Sequence, residues 1–233
     1  LASFGGHLEM FIVGGAPMNR ETEAFLKSIH FPIIVGYGMT ECAPLIGYSP
    51  WQSFRLGSCG RAVTNVEVRI DSEDPRKVVG EIQVKGENVM QGYYKNPEAT
   101  EAAFTEDGYL RTGDLGIIDK QGNIFIKGRS KCMILSPNGQ NIYPEEIESK
   151  LNAMPRVGES LIVDRGHLLV ALVAMTAEDQ KVGVTEELKA QMEQNRIELN
   201  NMMPAYSKIS SVEIIEEGFE HTPKQSIKRF MYK

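Results

Sequence analysis

The amino-acid sequence predicts an α/β unit that runs into a β subdomain and is followed by a small α+β C-terminal domain. Three observations lead there. Two short apolar runs, residues 10–13 and 33–35, end in glycine and enclose a capped amphipathic segment, the pattern of strands buried on both faces beside a helix. From about residue 57 apolar and polar positions alternate, the period of an antiparallel sheet. After Gly128 helical spacing returns between further apolar runs. The first domain is therefore placed at residues 1–128, with its α/β end at 1–56 and its β subdomain at 57–128, and the second at 129–233.

Each element has a local cause. Met10-Phe11-Ile12-Val13 is a strand closed by Gly14-Gly15. Asn19 can cap a helix with Glu21 and Glu23 in its first turn and Phe25, Leu26 and Ile29 on its inner face, and Pro32 stops it. Ile33-Ile34-Val35 is the second buried strand. Val66, Val68 and Ile70, then Ile82 and Val84, then Ile124 and Ile126 mark strands separated by polar turns. Asn96-Pro97 opens one short inserted helix. In the second domain Pro144 starts a helix, Val163 with residues 168–174 forms a hairpin, and Thr185 opens a long helix ended by Pro204. Residues 212–215 form a last strand before a basic tail.

Composition narrows the function. The chain has 233 residues, is 42% apolar and 24% charged, and carries a net charge of −6, a soluble globular balance that argues against general nucleic-acid or anionic-membrane binding. The three cysteines, Cys42, Cys59 and Cys132, form no CxxC pair, which points to a reducing compartment. Four scattered histidines show no ligand spacing, and no apolar run reaches the roughly 18 residues of a membrane span. The chain opens Leu1-Ala2-Ser3-Phe4, without methionine or signal-peptide pattern, and the expectation is a piece of a longer protein.

Three segments carry candidate chemistry. Tyr37-Gly38-Met39-Thr40-Glu41 follows a buried strand, at the end where open α/β sheets bind ligands. Its glycines let a flat ligand approach the backbone and lie against the Tyr37 ring; Thr40 offers a hydroxyl to a phosphate and Glu41 a hard oxygen suited to Mg²⁺. A glycine-rich turn with an incidental acid would read the same way. In Arg111-Thr112-Gly113-Asp114 the acid after glycine is suited to a ribose diol, and equally to a surface hairpin. Gly128-Arg129-Ser130-Lys131 precedes residues 138–148, where Arg129 could contact nucleotide oxygens and Glu145, Glu146 and Glu148 read as helix N-terminal acids.

Taken in order, Gly14-Gly15-Ala16-Pro17, residues 37–41, residues 80–84 with 89–94, residues 111–114 and residues 128–148 resemble successive core motifs of the adenylate-forming superfamily of acyl-CoA synthetases, peptide-synthetase adenylation domains and luciferases. Gly36 to Pro44 and Ser136 to Pro144 most resemble AMP-forming long-chain fatty-acid–CoA ligases. The resemblance implies the end of a large adenylation domain plus a small mobile lid domain, and a two-step reaction of a fatty acid with ATP and then CoA. It implies that Gly14, Gly15, Ala16, Pro17, Tyr37 and Gly38 border the adenine and that Thr40 meets phosphate. Glu41 would hold the Mg²⁺, Asp114 the ribose hydroxyls and Arg129 the nucleotide, while Lys131 would be the hinge and Gly139 would lie near the CoA path.

Two departures accompany it. The family's Gly- and Ser/Thr-rich phosphate loop, with its lysine, does not occur in these residues; in the family it lies upstream, with most of the acyl pocket, and the fragment alone is expected to be inactive. In the tail, aligned from Thr222-Pro223, the family's catalytic lysine position falls on Ser226. Lys224 and Lys228 flank it and would share its face on an extended segment, so both are candidates; a solvated basic tail is the alternative. The rival functions are an adenylation domain that loads a carrier protein and a non-catalytic nucleotide-binding homologue. A cytoplasmic location, with weak membrane contact for a fatty substrate and no nucleic-acid partner, is the remaining expectation.

Overall fold

A computed structural model describes residues 5–15, 18–223 and 226–232 of the chain. These residues form two compact units, Leu1–Lys131 and Cys132–Lys233.

In the first unit β1 (Phe11–Val13) and β2 (Ile33–Val35) pair in parallel around α1 (Arg20–Ser28). The Asn19 side chain caps α1 by accepting from the Glu21 and Thr22 amides at 2.9 and 3.0 Å. β2 is buried as its sequence requires, but β1 is not: Phe11 and Ile12 are exposed. The inner face expected for α1 is also open, with Phe25 at 60% and Ile29 at 54% exposure. The helix instead buries Glu23, whose Oε1 accepts the Gly57 amide at 2.8 Å. Burial raises the Glu23 carboxyl, against the opposing hydrogen bond from Gly57 and the charges of Arg20 and Lys27. The physical reason is layering. Two strands and one helix cover a single face, and among the described residues no further layer lies over the apolar one.

The strands β3 (Tyr37–Gly38), β4 (Leu45–Tyr48) and β5 (Arg61–Ala62) form a small antiparallel sheet. The period-two region becomes a four-stranded antiparallel sheet in chain order, β6 (Val66–Asp71), β7 (Gly80–Gly86), β8 (Leu110–Ile118) and β9 (Ile124–Arg129). The inserted helix is α2 (Pro97–Ala103), capped where the Asn96 side chain accepts from the Ala99 amide at 3.0 Å. Tyr37, Cys42 and Ile46 join Ile70, Ile82, Val84, Leu110 and Ile124 in one apolar core, which fixes the small sheet against the large one. β9 carries Arg129 into register opposite Asp114, so Arg129 belongs to this unit rather than to the second, where the sequence reading put it.

The second unit begins with a short hairpin, β10 (Ile134–Leu135) and β11 (Asn141–Ile142), followed by α3 (Pro144–Leu151). The expected hairpin is β12 (Val157–Arg165) with β13 (Leu168–Met175). The helices α4 (Ala177–Val182) and α5 (Glu186–Asn201) then cross over to β14 (Ser211–Ile215), which lies parallel to β13 with Val170 opposite Ser211. Thr185 caps α5, its hydroxyl accepting the Leu188 amide at 3.1 Å. β13 is a near-continuous apolar run because it is covered on both sides. Ile147, Leu151, Leu188, Met192 and Leu199 pack on one face, and Phe219 packs with Leu161, Val163 and Leu172 on the other. Among the described residues no helix is long and apolar enough to cross a membrane.

Candidate functional site

The site is assembled from the turns that follow β1, β2 and β3, the middle of β8 and the end of β9 in the first unit. Gly14 follows β1 and Gly36 follows β2; the Gly36 amide donates to the Val13 carbonyl at 2.8 Å, which sets the two glycine turns side by side. Gly15 has φ +89, a conformation that a side chain would strain. Ala16 and Pro17 lie outside the described residues.

Tyr37 points inward. Its side chain is 5% exposed, and its hydroxyl donates to Asp114 Oδ2 at 2.8 Å. Burial pushes the phenol well up, and the Asp114 charge adds to that. This corrects the expectation of an open ring face for a flat ligand: Tyr37 is a core residue that acts through Asp114, because its ring completes the apolar cluster. Asp114 is 7% exposed, and its other oxygen, Oδ1, accepts from Arg129 Nε at 2.7 Å. A carboxylate offers about four acceptor positions. Tyr37 and Arg129 occupy one on each oxygen, and the remaining two suit a pair of adjacent hydroxyls. The Asp114 amide donates to the Thr112 hydroxyl at 3.1 Å, and that hydroxyl donates to the Ile82 carbonyl at 2.7 Å, so the acid is held from its backbone as well.

Thr40 and Glu41 sit on the short helical turn Thr40–Cys42 that leaves β3. The Met39 amide donates to the Pro44 carbonyl at 2.8 Å, and Ala43 closes the turn in the left-handed region at φ 51. Gly38 is required here, since a Cβ would lie 2.1 Å from the Pro44 carbonyl oxygen. Gly38→Ala is expected to cost about 2 kcal/mol or more, read as a lowered denaturation midpoint at unchanged slope in the full-length protein. Thr40 is exposed; Glu41 is half-buried, and its Oε1 accepts from the Tyr93 hydroxyl at 3.0 Å. Asp114 and Arg129 are in direct contact, while Thr40 and Glu41 connect to them through Tyr37 and its strand rather than by a bond of their own.

A Mg²⁺ ion fits Glu41 in one specific way. Among the described residues no group of three or more acids, histidines or cysteines could hold a metal. A single carboxylate with one oxygen occupied suits a cation whose other ligands are phosphate and water oxygens.

The other expected positions fall elsewhere. Lys131 is exposed, the last residue of the first unit. Gly139 lies in the β10–β11 turn at φ +77, and an added Cβ would meet no atom of the described residues within 4 Å. In the tail His221 bridges Ile227 in antiparallel fashion, and the Thr222 amide donates to the Ser226 carbonyl at 2.8 Å. Lys228 Nζ donates to Glu220 Oε2 at 2.9 Å, and Lys224 lies outside the described residues. Sequence reasoning missed Tyr93 and Thr112 as partners of the site; each stood inside a quoted motif, but nothing in the sequence tells a contact residue from its neighbours.

Comparisons with known proteins bear on the family and the fold. Residues 2–94 match the AMP-binding enzyme family, and residues 132–232 match the AMP-binding enzyme C-terminal domain. The chain is 33% identical over 178 residues to the long-chain-fatty-acid–CoA ligase FadD15 of Mycobacterium bovis, covering 76% of this chain and 28% of that protein. It is 39% identical over 158 residues to the 2-succinylbenzoate–CoA ligase of Bacillus velezensis, covering 66% of this chain and 32% of that protein. Among solved structures it superposes on ATP-bound MatB from Rhodopseudomonas palustris with a TM-score of 0.81 at 30% identity, over 99% of this chain and 46% of that one. Against the O-succinylbenzoate–CoA synthetase MenE of Bacillus subtilis in complex with AMP, the TM-score is 0.79 at 27% identity, over 100% of this chain and 48% of that one. The chain thus spans about a third or less of the length of these curated relatives and just under half of these solved chains. Two family matches in order, on a fold shared with ATP- and AMP-bound relatives, make this chain a member of the adenylate-forming AMP-binding enzyme family.

Proposed function

We propose that the chain is the nucleotide-handling end and the C-terminal domain of an AMP-forming long-chain fatty-acid–CoA ligase of the cytoplasm. The observation that carries this is Asp114, a buried carboxylate held by Tyr37 and Arg129 at one oxygen each, with acceptor capacity left for two hydroxyls. In the first half-reaction a fatty-acid carboxylate oxygen attacks the α-phosphorus of ATP, and the bond to the β-phosphate breaks. Pyrophosphate leaves and an acyl-adenylate remains. In the second, the CoA sulfur attacks the acyl carbonyl and the bond to AMP breaks. Asp114 orients the ribose, Arg129 meets the nucleotide, the Thr40 hydroxyl donates to a phosphate oxygen, and Glu41 is the protein ligand of Mg²⁺. The bound ion supplies charge neutralisation on the phosphates.

The long-chain preference rests on the similarity to FadD15 and on residues 136–144. The experiment is pyrophosphate exchange and CoA-thioester formation by the full-length protein, with palmitate, 4-coumarate and 2-succinylbenzoate compared. Palmitate is expected to be preferred; turnover of the aryl acids alone would overturn the substrate assignment. Asp114→Asn is expected to weaken AMP binding about tenfold, the worth of a charge-assisted hydrogen bond. Unchanged AMP binding would remove Asp114 from the site. The chain of residues 1–233 alone is expected to show no exchange.

A further inference from the structure

Residues 88–93 form a strap across the turn that carries Thr40 and Glu41. The Asn88 side-chain amide donates to the carbonyls of Cys42 and Leu45 at 2.7 and 2.9 Å. The Met90 amide donates to the Glu41 carbonyl at 2.7 Å, and the Tyr93 hydroxyl donates to Glu41 Oε1 at 3.0 Å. The strap is itself anchored on α2, where the Thr100 hydroxyl accepts the Tyr93 amide at 2.9 Å. Gly92, at φ +154, brings the chain so close to that threonine that a Cβ would lie 2.7 Å from its methyl group. From α2 to the carboxylate there is a continuous set of contacts: Thr100, Tyr93, Glu41.

We propose that Tyr93 is a positioning residue for the cation site at Glu41: its hydroxyl holds Oε1 so that Oε2 is presented in a fixed direction. A side chain with one oxygen already fixed loses less rotamer freedom when it binds a cation, so pre-orientation appears as affinity. The contact does not remove the acid's capacity, because each carboxylate oxygen has two acceptor positions and only one of the four is used. Tyr93 is suited to test, being 40% exposed and outside the buried core, so loss of its hydroxyl leaves the fold in place. The inference rests on Glu41 being the metal ligand of the proposed function.

The test is Mn²⁺ binding to the full-length protein with a non-hydrolysable ATP analogue, followed by electron paramagnetic resonance, in Tyr93→Phe, Glu41→Gln and the double variant. Tyr93→Phe is expected to raise the Mn²⁺ dissociation constant about fivefold, with an unchanged melting temperature and little further loss when Glu41→Gln is already present. A weakened Glu41→Gln beside an unaltered Tyr93→Phe overturns the positioning role and leaves the metal assignment standing. A Tyr93→Phe effect of the same size in the Glu41→Gln background also overturns it, since the effect would then not pass through Glu41. Unaltered Mn²⁺ binding in both single variants overturns the metal assignment and the positioning role together.

Discussion

Glu41→Gln in the full-length protein is expected to lower ATP–pyrophosphate exchange about a hundredfold or more while leaving the fold intact. The amide keeps the size of the side chain and can still accept the Tyr93 hydroxyl, and the Met90 amide still donates to the backbone carbonyl at position 41. Only the negative charge is lost, and a hard divalent cation loses most from that change. Removing one preorganised charge from a phosphoryl-type reaction is worth about 3 kcal/mol or more in the barrier, which sets the factor. Exchange within a few-fold of the unaltered protein would defeat the role given to Glu41. A fall in exchange that higher Mg²⁺ partly restores is the expected signature.

Arg229→Met is expected to destabilise the second unit by about 3 kcal/mol, and more at pH 8 than at pH 5. Arg229 ties the tail to α3 by pairing with Glu148, which is 7% exposed and also accepts the Ile162 amide at 2.7 Å. Truncating one partner of a buried pair leaves an uncompensated charge, which is the costly change. Burial outweighs the opposing effects of Arg229 and the Ile162 amide and pushes the Glu148 carboxyl up to about 7. An acid whose folded pKa lies above its unfolded one binds more protons folded than unfolded. Its contribution is therefore fully present below about pH 4.5 and is lost as the pH rises through about 7. Without Arg229 that loss deepens. Thermal denaturation at the two pH values checks this, and adding Glu148→Gln to Arg229→Met should remove most of the pH difference. A stability indifferent to pH in the single variant would show that Glu148 is not carrying a buried charge.

Much of this molecule was legible in its sequence, and the failures have physical causes. Asn19, Asn96 and Thr185 cap helices as their side chains allow, because capping is a local interaction. The alternation from Val66 to Ile126 became a four-stranded sheet in chain order, because period two and short turns leave few other arrangements. The apolar face of α1 was identified, but its burial was not legible: amphipathicity says which face seeks a partner, and not whether one lies over it. The parallel pairing of β14 with β13 was also hidden, because a crossover is a long-range event with no local signature. At the site, the motif letters named Asp114, Arg129, Thr40 and Glu41. The inward turn of Tyr37 and the reach of Tyr93 to Glu41 depended on residues 77 and 52 positions away along the chain. In the tail, the ±2 argument for Lys224 and Lys228 needs an extended segment, and residues 224 and 225 lie outside the described ones.

The crossover to β14 has a consequence for how the protein comes into being. Val170 cannot meet Ser211 until both intervening helices have been made and packed, and the segment bearing Lys228 is delivered by that last strand. During synthesis the β12–β13 hairpin is therefore complete well before the strand that finishes its sheet has been made.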